Sequence, residues 1–193
     1  MEKKRFLIIF CLLFCFLFSG FAENTVKLYW AFGTSGISYG DKETKSVIAP
    51  LQDEEFSRLI LSGELGFSAK LDEAISFVAG GNLVLDSFFL GSQNAIFLDY
   101  ALFGGLRVYP GLGGFNLGLE YNTGRRSNFF NLENELTPEA YSTNWGNGFR
   151  LVTEYDFSYY TEGLAPVIGI SYRRMPRGGF ADNFFTFYFR LAY

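Results

Sequence analysis

Apolar and polar residues alternate, one by one, through eight stretches of this chain. In the first, Val26–Thr34, Val26, Leu28, Trp30 and Phe32 stand opposite Lys27, Tyr29 and Ala31. In Arg58–Leu71 the odd positions read Leu59, Leu61, Gly63, Leu65, Phe67, Ala69 and Leu71. The even ones read Arg58, Ile60, Ser62, Glu64, Gly66, Ser68 and Lys70. The same beat runs through Ala74–Phe89, Ala95–Tyr109, Phe115–Arg126, Trp145–Tyr159, Leu164–Met175 and Asn183–Tyr193. A period of two is the mark of a β-strand whose sides meet different surroundings. The last stretch is the sharpest case. Phe185, Phe187, Phe189, Leu191 and Tyr193 line one side, and Thr186, Tyr188, Arg190 and Ala192 the other.

The connections carry a second rhythm. Asp72-Glu73, Pro110–Gly114 and Tyr160–Gly163 are short. The intervening ones, Ser35–Ser57, Leu90–Asn94, Ser127–Asn144 and Pro176–Asp182, are longer and polar. Eight strands joined this way predict an all-β fold, an antiparallel up-and-down barrel with turns at one end and loops at the other. The apolar side of the strands is rich in Leu, Ile and Phe, and the polar side in Gly and Ser. That pattern suits lipid outside and a crowded polar interior. The reverse arrangement, apolar inside and charged outside, would be a soluble periplasmic lipocalin-like binding barrel. Only Lys27, Lys42, Lys45 and Lys70 follow residue 22 as lysines, few for a barrel surrounded by water. Aromatic residues near the short turns (Tyr109, Phe115, Tyr159, Tyr160, Tyr193) and near the long loops (Phe88, Phe89, Phe129, Phe130, Trp145, Phe180, Phe184) would form two interfacial belts.

The N-terminus changes where this barrel should sit. Glu2-Lys3-Lys4-Arg5 precedes the apolar run Phe6–Phe18 and the small residues Ser19-Gly20-Phe21-Ala22. This reads as a secretory signal over 1–22, with the barrel over 23–193. Both cysteines, Cys11 and Cys15, fall within the signal, so the exported part has no disulfide framework. Histidine is absent and the net charge is −4, which argues against nucleic acid as a partner. After residue 22 no apolar run reaches helix-spanning length, so crossing a membrane requires a closed barrel.

Taken together, the signal, the eight alternating segments and the terminal aromatic strand resemble the small outer-membrane barrels of diderm bacteria, the OmpA-domain, OmpX and OmpW class. The resemblance implies an outer-membrane location and contact with membrane lipid. It also implies that Phe185, Phe187, Phe189, Leu191 and Tyr193 serve as the signal read by the barrel-assembly machinery. Its OmpW branch implies passage of small hydrophobic molecules through a lateral opening. Enzymes of similar architecture, lipid-A deacylases, acyltransferases and outer-membrane proteases, depend on a histidine base that this sequence lacks.

The alternation sends Glu64, Asp86, Asp99, Glu120, Glu154 and Asp156 inward, together with Lys27, Arg58, Lys70, Arg107, Arg126, Arg150, Arg173 and Arg190. A barrel of eight strands barely holds its own side chains, and ions there must pair. The expectation is a cross-barrel network of arginines and carboxylates, with Arg150 and Arg173 accounting for Glu154 and Asp156. It would either block conduction or line a narrow polar path. No zinc ligand set, phosphate loop or nucleophile elbow is present, so neither catalysis nor a cofactor is expected. Two loops remain as candidate surfaces for a partner: Gly40–Glu55 with its apolar patch Val47–Leu51, and Ser127–Asn144 with Phe129, Phe130, Leu132, Leu136 and Tyr141. The functional expectation is a non-enzymatic outer-membrane barrel with a structural or adhesive role, or else a small channel for hydrophobic or small polar solutes.

Overall fold

The computed structural model describes residues 26–53, 56–132, 140–157, 160 and 165–192. Residues 1–22, expected as the signal, lie outside these, as do Tyr159 and Tyr193. The strands are β1 (Val26–Ser38), β2 (Ser57–Lys70), β3 (Ile75–Leu90), β4 (Gln93–Val108) and β5 (Phe115–Asn131), followed by β6 (Ala140–Ser142), β7 (Gly146–Asp156), β8 (Ala165–Pro176) and β9 (Ala181–Ala192). One helix, α1 (Lys42–Asp53), follows β1. Both β6 and β7 pair with β5, so they form one barrel strand interrupted at Thr143–Trp145. Every neighbour pair is antiparallel. The sheet closes through β4 with β5, and β1 pairs with β9 from Tyr29↔Ala192 to Ser38↔Asn183. The result is a closed barrel of eight strands, sealed where the first strand meets the last.

Burial settles the two faces. Along β8, Val167, Gly169, Ser171, Arg173 and Met175 are buried, while Ile168 and Ile170 between them are exposed. Leu28, Leu65, Leu102, Leu119 and Phe187 are each more than half exposed. Inside, Arg107, Glu120, Arg126 and Glu154 are almost wholly buried. An apolar exterior around a charged interior is the inverse of a soluble binding barrel and matches a wall solvated by lipid.

The loop end departs from expectation. Two connections expected to be long are tight turns. At β3–β4 Gly91 takes φ 59°, and at β8–β9 Gly178 takes φ 78°, a conformation glycine reaches without steric cost. The expected loop Ser127–Asn144 is partly strand: β5 runs on to Asn131, and Ser127–Phe129 pair with β6. The Ser35–Ser57 connection holds α1. Its Asp41 caps the first turn, with Oδ2 accepting from the Thr44 amide at 2.9 Å. Thr44, Val47, Ile48 and Leu51 recur at helical spacing and form its inward stripe.

That stripe drops into the barrel mouth. Ile48 and Leu51 join Tyr39, Phe88, Ala95, Phe97 and Phe130 in one buried cluster. Val47, Ile48 and Leu51 of the expected apolar patch are therefore spent on the protein's own rim, and only Ala49 and Pro50 of it stay exposed. Phe88, Phe130 and Phe184, expected in the outer aromatic belt, face inward, and only Phe89, Phe129 and Trp145 of that group are exposed.

Candidate functional site

The ionic chemistry of the described residues is concentrated in the interior. In the half nearer the short turns the ions form a line. Arg190 Nη2 donates to Glu154 Oε2 at 2.8 Å, and the same oxygen accepts from Arg107 Nε at 3.2 Å. Arg107 Nη1 reaches Glu120 Oε1 at 2.5 Å. The other Glu120 oxygen accepts from Arg150 Nε, and Arg150 Nη1 donates to Glu64. The line ends where the Tyr29 hydroxyl donates to Glu64 Oε1 at 3.0 Å.

A second line climbs to the mouth. Arg173 binds Asn82 and donates to Asp99 Oδ1 at 2.6 Å; Arg177 takes the other Asp99 oxygen. Arg177 Nε lies 3.2 Å from Asp182, which accepts from Arg126 Nη1 at 2.6 Å. Arg126 Nη2 then crosses to Asp41 Oδ1 at 2.8 Å and to Thr44 Oγ1 at 2.6 Å, both on the α1 segment. Beside it, Arg58 grips both oxygens of Asp86 in a fork, and the Tyr39 hydroxyl donates to the same carboxylate at 2.8 Å.

Each line alternates three arginines with three carboxylates, so each is neutral. Burying ions costs several kcal/mol apiece unless partners and hydrogen bonds replace water. Here every carboxylate oxygen of the two lines has at least one partner, and the guanidiniums also lie over rings: Arg126 over Tyr39 at 4.6 Å, Arg150 over Phe103 at 4.8 Å, Arg173 over Phe184 at 4.2 Å and Arg190 over Tyr29 at 4.7 Å. The inward aromatics are platforms for these cations. A void beside Ser62, Glu64, Asn82, Arg150 and Arg173 measures about 20 Å³, room for a single water.

Of the residues expected here, Glu64, Asp86, Asp99, Arg107, Glu120, Arg150, Glu154, Arg173 and Arg190 all stand in these ion pairs. The pairing differs in detail from the expected one. Glu154 is held by Arg107, Arg190 and the Tyr188 hydroxyl rather than by Arg150 and Arg173. Asp156 sits half-buried at the end of β7, its amide donating to the Gly114 carbonyl. Lys27 and Lys70, expected inside, are exposed at the short-turn rim. Asp41, Arg177 and Asp182 also belong to the network, although all three fall in stretches whose composition suggests loops. Arg177 continues the inward parity of Arg173 and Met175, a signal hidden by Pro176. Phe185, Phe187 and Phe189 face outward on β9, with Leu191 half-buried beside them.

Asp41 lies outside the strands. Burial raises its carboxyl, but hydrogen bonds from Thr44 and Arg126 outweigh this and hold it below the usual 3.8. Among the described residues no cluster of side chains has the make-up of a metal site.

No protein-family model and no curated protein matches the sequence. Solved structures do. Two structures of Ail, the attachment invasion locus protein of Yersinia pestis, align with TM-scores of 0.55 at 10% and 11% identity. One of them is a complex with the heparin analogue sucrose octasulfate. They cover 88% and 89% of this chain and 100% and 99% of their own. Neisserial surface protein A aligns at 7% identity over 86% of this chain and 95% of its own, with a TM-score of 0.49. What the Ail structures share with this chain is the fold. With its lipid-type exterior, the chain is a transmembrane β-barrel of the bacterial outer-membrane class.

Proposed function

We propose that this protein is a non-conducting, non-enzymatic barrel of the bacterial outer membrane that presents its outer hairpins and the exposed side of α1 to a surface partner. One observation carries the reading: two neutral lines of ion pairs fill the lumen, and α1 closes its mouth. A channel would need a continuous wet path, and a void of about 20 Å³ is not one. Lys42, Glu43, Lys45, Ser46, Ala49, Pro50 and Gln52 form the outward side of α1, a mixed surface that nothing in the barrel covers. Attachment is the role in the name of the Yersinia barrel, and this reading extends it to the present chain. In the same reading the outward residues of β9, with Tyr193, guide the assembly machinery.

Planar-bilayer recording tests the closed lumen. The purified protein is expected to give no unitary conductance, and reproducible steps abolished by Arg150→Gln would overturn the closed-lumen reading. Removing residues 133–139 tests the surface role. The deletion removes none of the residues in the pairs Ser127–Ser142 and Arg126–Thr143. The shortened protein should still shift on unheated gels and should lose adherence of expressing cells to a host-cell monolayer. Unchanged adherence would assign the surface role elsewhere.

A further inference from the structure

Nine arginines follow the expected signal. Seven of them (58, 107, 126, 150, 173, 177 and 190) pair with carboxylates. The other two, Arg125 and Arg174, are the exceptions in every respect. Both have outward parity, between the buried neighbours Gly124 and Arg126 on β5 and Arg173 and Met175 on β8. Neither has a carboxylate within ion-pair distance among the described residues. No described strand presents an acid on its lipid side.

Their level on the wall is specific. On β5 the outward row climbs Leu117, Leu119, Tyr121, Thr123, Arg125; on β8 it climbs Ile168, Ile170, Tyr172, Arg174. The neighbouring rows end alike, Leu151, Phe149, Asn147 on β7 and Phe187, Phe185, Asn183 on β9. On β5, β7 and β8 aliphatic residues give way to an aromatic ring and then to polar groups, and on β9 the rings Phe189, Phe187 and Phe185 give way to Asn183. This is the sequence of environments from hydrocarbon to headgroup. The register joins Arg174 to Phe149 and Phe149 to Tyr121. Rows in a tilted barrel step down toward the short-turn end in this direction. Arg125, two outward positions above Tyr121, therefore stands near the height of Arg174. Around them lie Tyr100, whose hydroxyl accepts from Arg125 Nε, Trp145 packed edge-on to Tyr100 at 6.4 Å, and Asn183, 3.4 Å from Arg174 Nη1.

We propose that this outward face of β5, β7 and β8 binds the phosphate of a membrane lipid headgroup, with Arg125 and Arg174 as the cationic contacts. The proposal rests on the membrane-spanning reading of the barrel and is independent of any surface partner. An unpaired guanidinium at the edge of hydrocarbon is costly, and an anion at headgroup depth is the complement. Arg125 is already oriented by Tyr100, so its terminal nitrogens are free to fork onto phosphate oxygens.

The test uses the full-length protein in detergent micelles, incubated with equal amounts of phosphatidic acid and phosphatidylcholine and read by native mass spectrometry. Retained phosphatidic acid should exceed phosphatidylcholine at least fivefold. The Arg125→Gln/Arg174→Gln pair should bring the ratio near one, while Lys27→Gln/Lys70→Gln, at the opposite rim, should leave it unchanged. A second reading keeps the test valid if the double variant folds poorly. With Trp30→Phe as background, Trp145 fluorescence should be quenched by phosphatidic acid carrying a spin label on its acyl chain near the glycerol and not by phosphatidylcholine labelled at the same carbon. Equal retention by wild type and the Arg125/Arg174 variant, equal loss with the lysine pair, or equal quenching by both lipids would overturn the proposal. So would full competition by millimolar inorganic phosphate, which would make the site one for free phosphate.

Discussion

Arg126 on the barrel wall and Asp41 at the foot of α1 are joined by an ion pair of 2.8 Å, and through it the helix is tied to the lumen network. Arg126 also holds Asp182 at 2.6 Å and stacks over Tyr39. Replacing it with alanine leaves Asp41 without its cation and Asp182 with Arg177 alone. Breaking a buried pair from one side costs about 3–5 kcal/mol. Arg126→Ala is therefore expected to lower the unfolding free energy by that order. It should also speed amide exchange through α1 while β7 to β9 stay protected. Hydrogen-exchange mass spectrometry in detergent would read both, and unchanged α1 protection would mean that the apolar stripe alone holds the helix.

The same contact sets a pH dependence. The Asp41 carboxyl is held below its ordinary 3.8 by Thr44 and Arg126, which outweigh the effect of burial. A depressed carboxyl contributes stability that is fully present above its unfolded value and is lost as pH falls through its folded one. The α1 attachment should hold at neutral pH and weaken only below about pH 3.8, the upper limit of that window. Asp41→Asn keeps a competent helix cap but removes the charge. It should give α1 exchange protection that is lower at neutral pH and less sensitive to acid. A spin label at exposed Lys45 would follow the helix independently.

The barrel was legible because its signal is redundant. A period of two repeated over eight segments fixes the faces even where ends slip by a residue or more, and burial follows it from Leu28 to Phe189. The loop end was less legible because single residues decide it. Gly91 and Gly178 permit turns where polar composition suggested loops. Pro50 masked the helical spacing of Thr44, Val47, Ile48 and Leu51, because inside a helix it removes the amide that would donate to the Ser46 carbonyl; it stands on the exposed side. Phe88, Phe130 and Phe184 looked like belt residues because composition cannot tell a ring facing lipid from one turned inward, under a guanidinium as Phe88 and Phe184 are or against other rings as Phe130 is. Parity could have done so, since each alternates with an outward neighbour. Which arginine meets which carboxylate depends on cross-barrel distances, and these follow from closure rather than from local sequence.

Glu120 is the hinge of the lower line, serving Arg107 with one oxygen and Arg150 with the other. Glu120→Gln keeps the shape but leaves an excess cation in a nearly dry interior. The expected loss is again about 3–5 kcal/mol, measured as urea-induced unfolding from lipid vesicles. Lys70→Gln, at the exposed rim, should fall within about 0.5 kcal/mol of wild type. The pair separates a packed ion network from a general charge effect, and similar losses in both would argue against the network as a source of stability.

The closing seam makes a test of its own, because two glycines on β1 meet β9 differently. Gly33 points inward, and a Cβ there would lie 2.8 Å from both the Cα and the Cβ of Tyr188, besides meeting the Phe187 carbonyl. Those atoms cannot give way cheaply: they belong to the backbone of the paired strand, and Tyr188 is pinned by its 2.6 Å bond to Glu154. Gly36 is paired with Phe185 on the same two strands, and a Cβ there would meet only the Phe185 carbonyl, at an ordinary 3.9 Å. Gly33→Ala should push β1 from β9 and sharply reduce the fraction that runs as folded barrel on unheated gels. Gly36→Ala should match wild type, and by removing backbone freedom from the unfolded chain should slightly favour folding. Equal yields from the two variants would mean that the seam tolerates separation and that closure is driven by the other strand pairs.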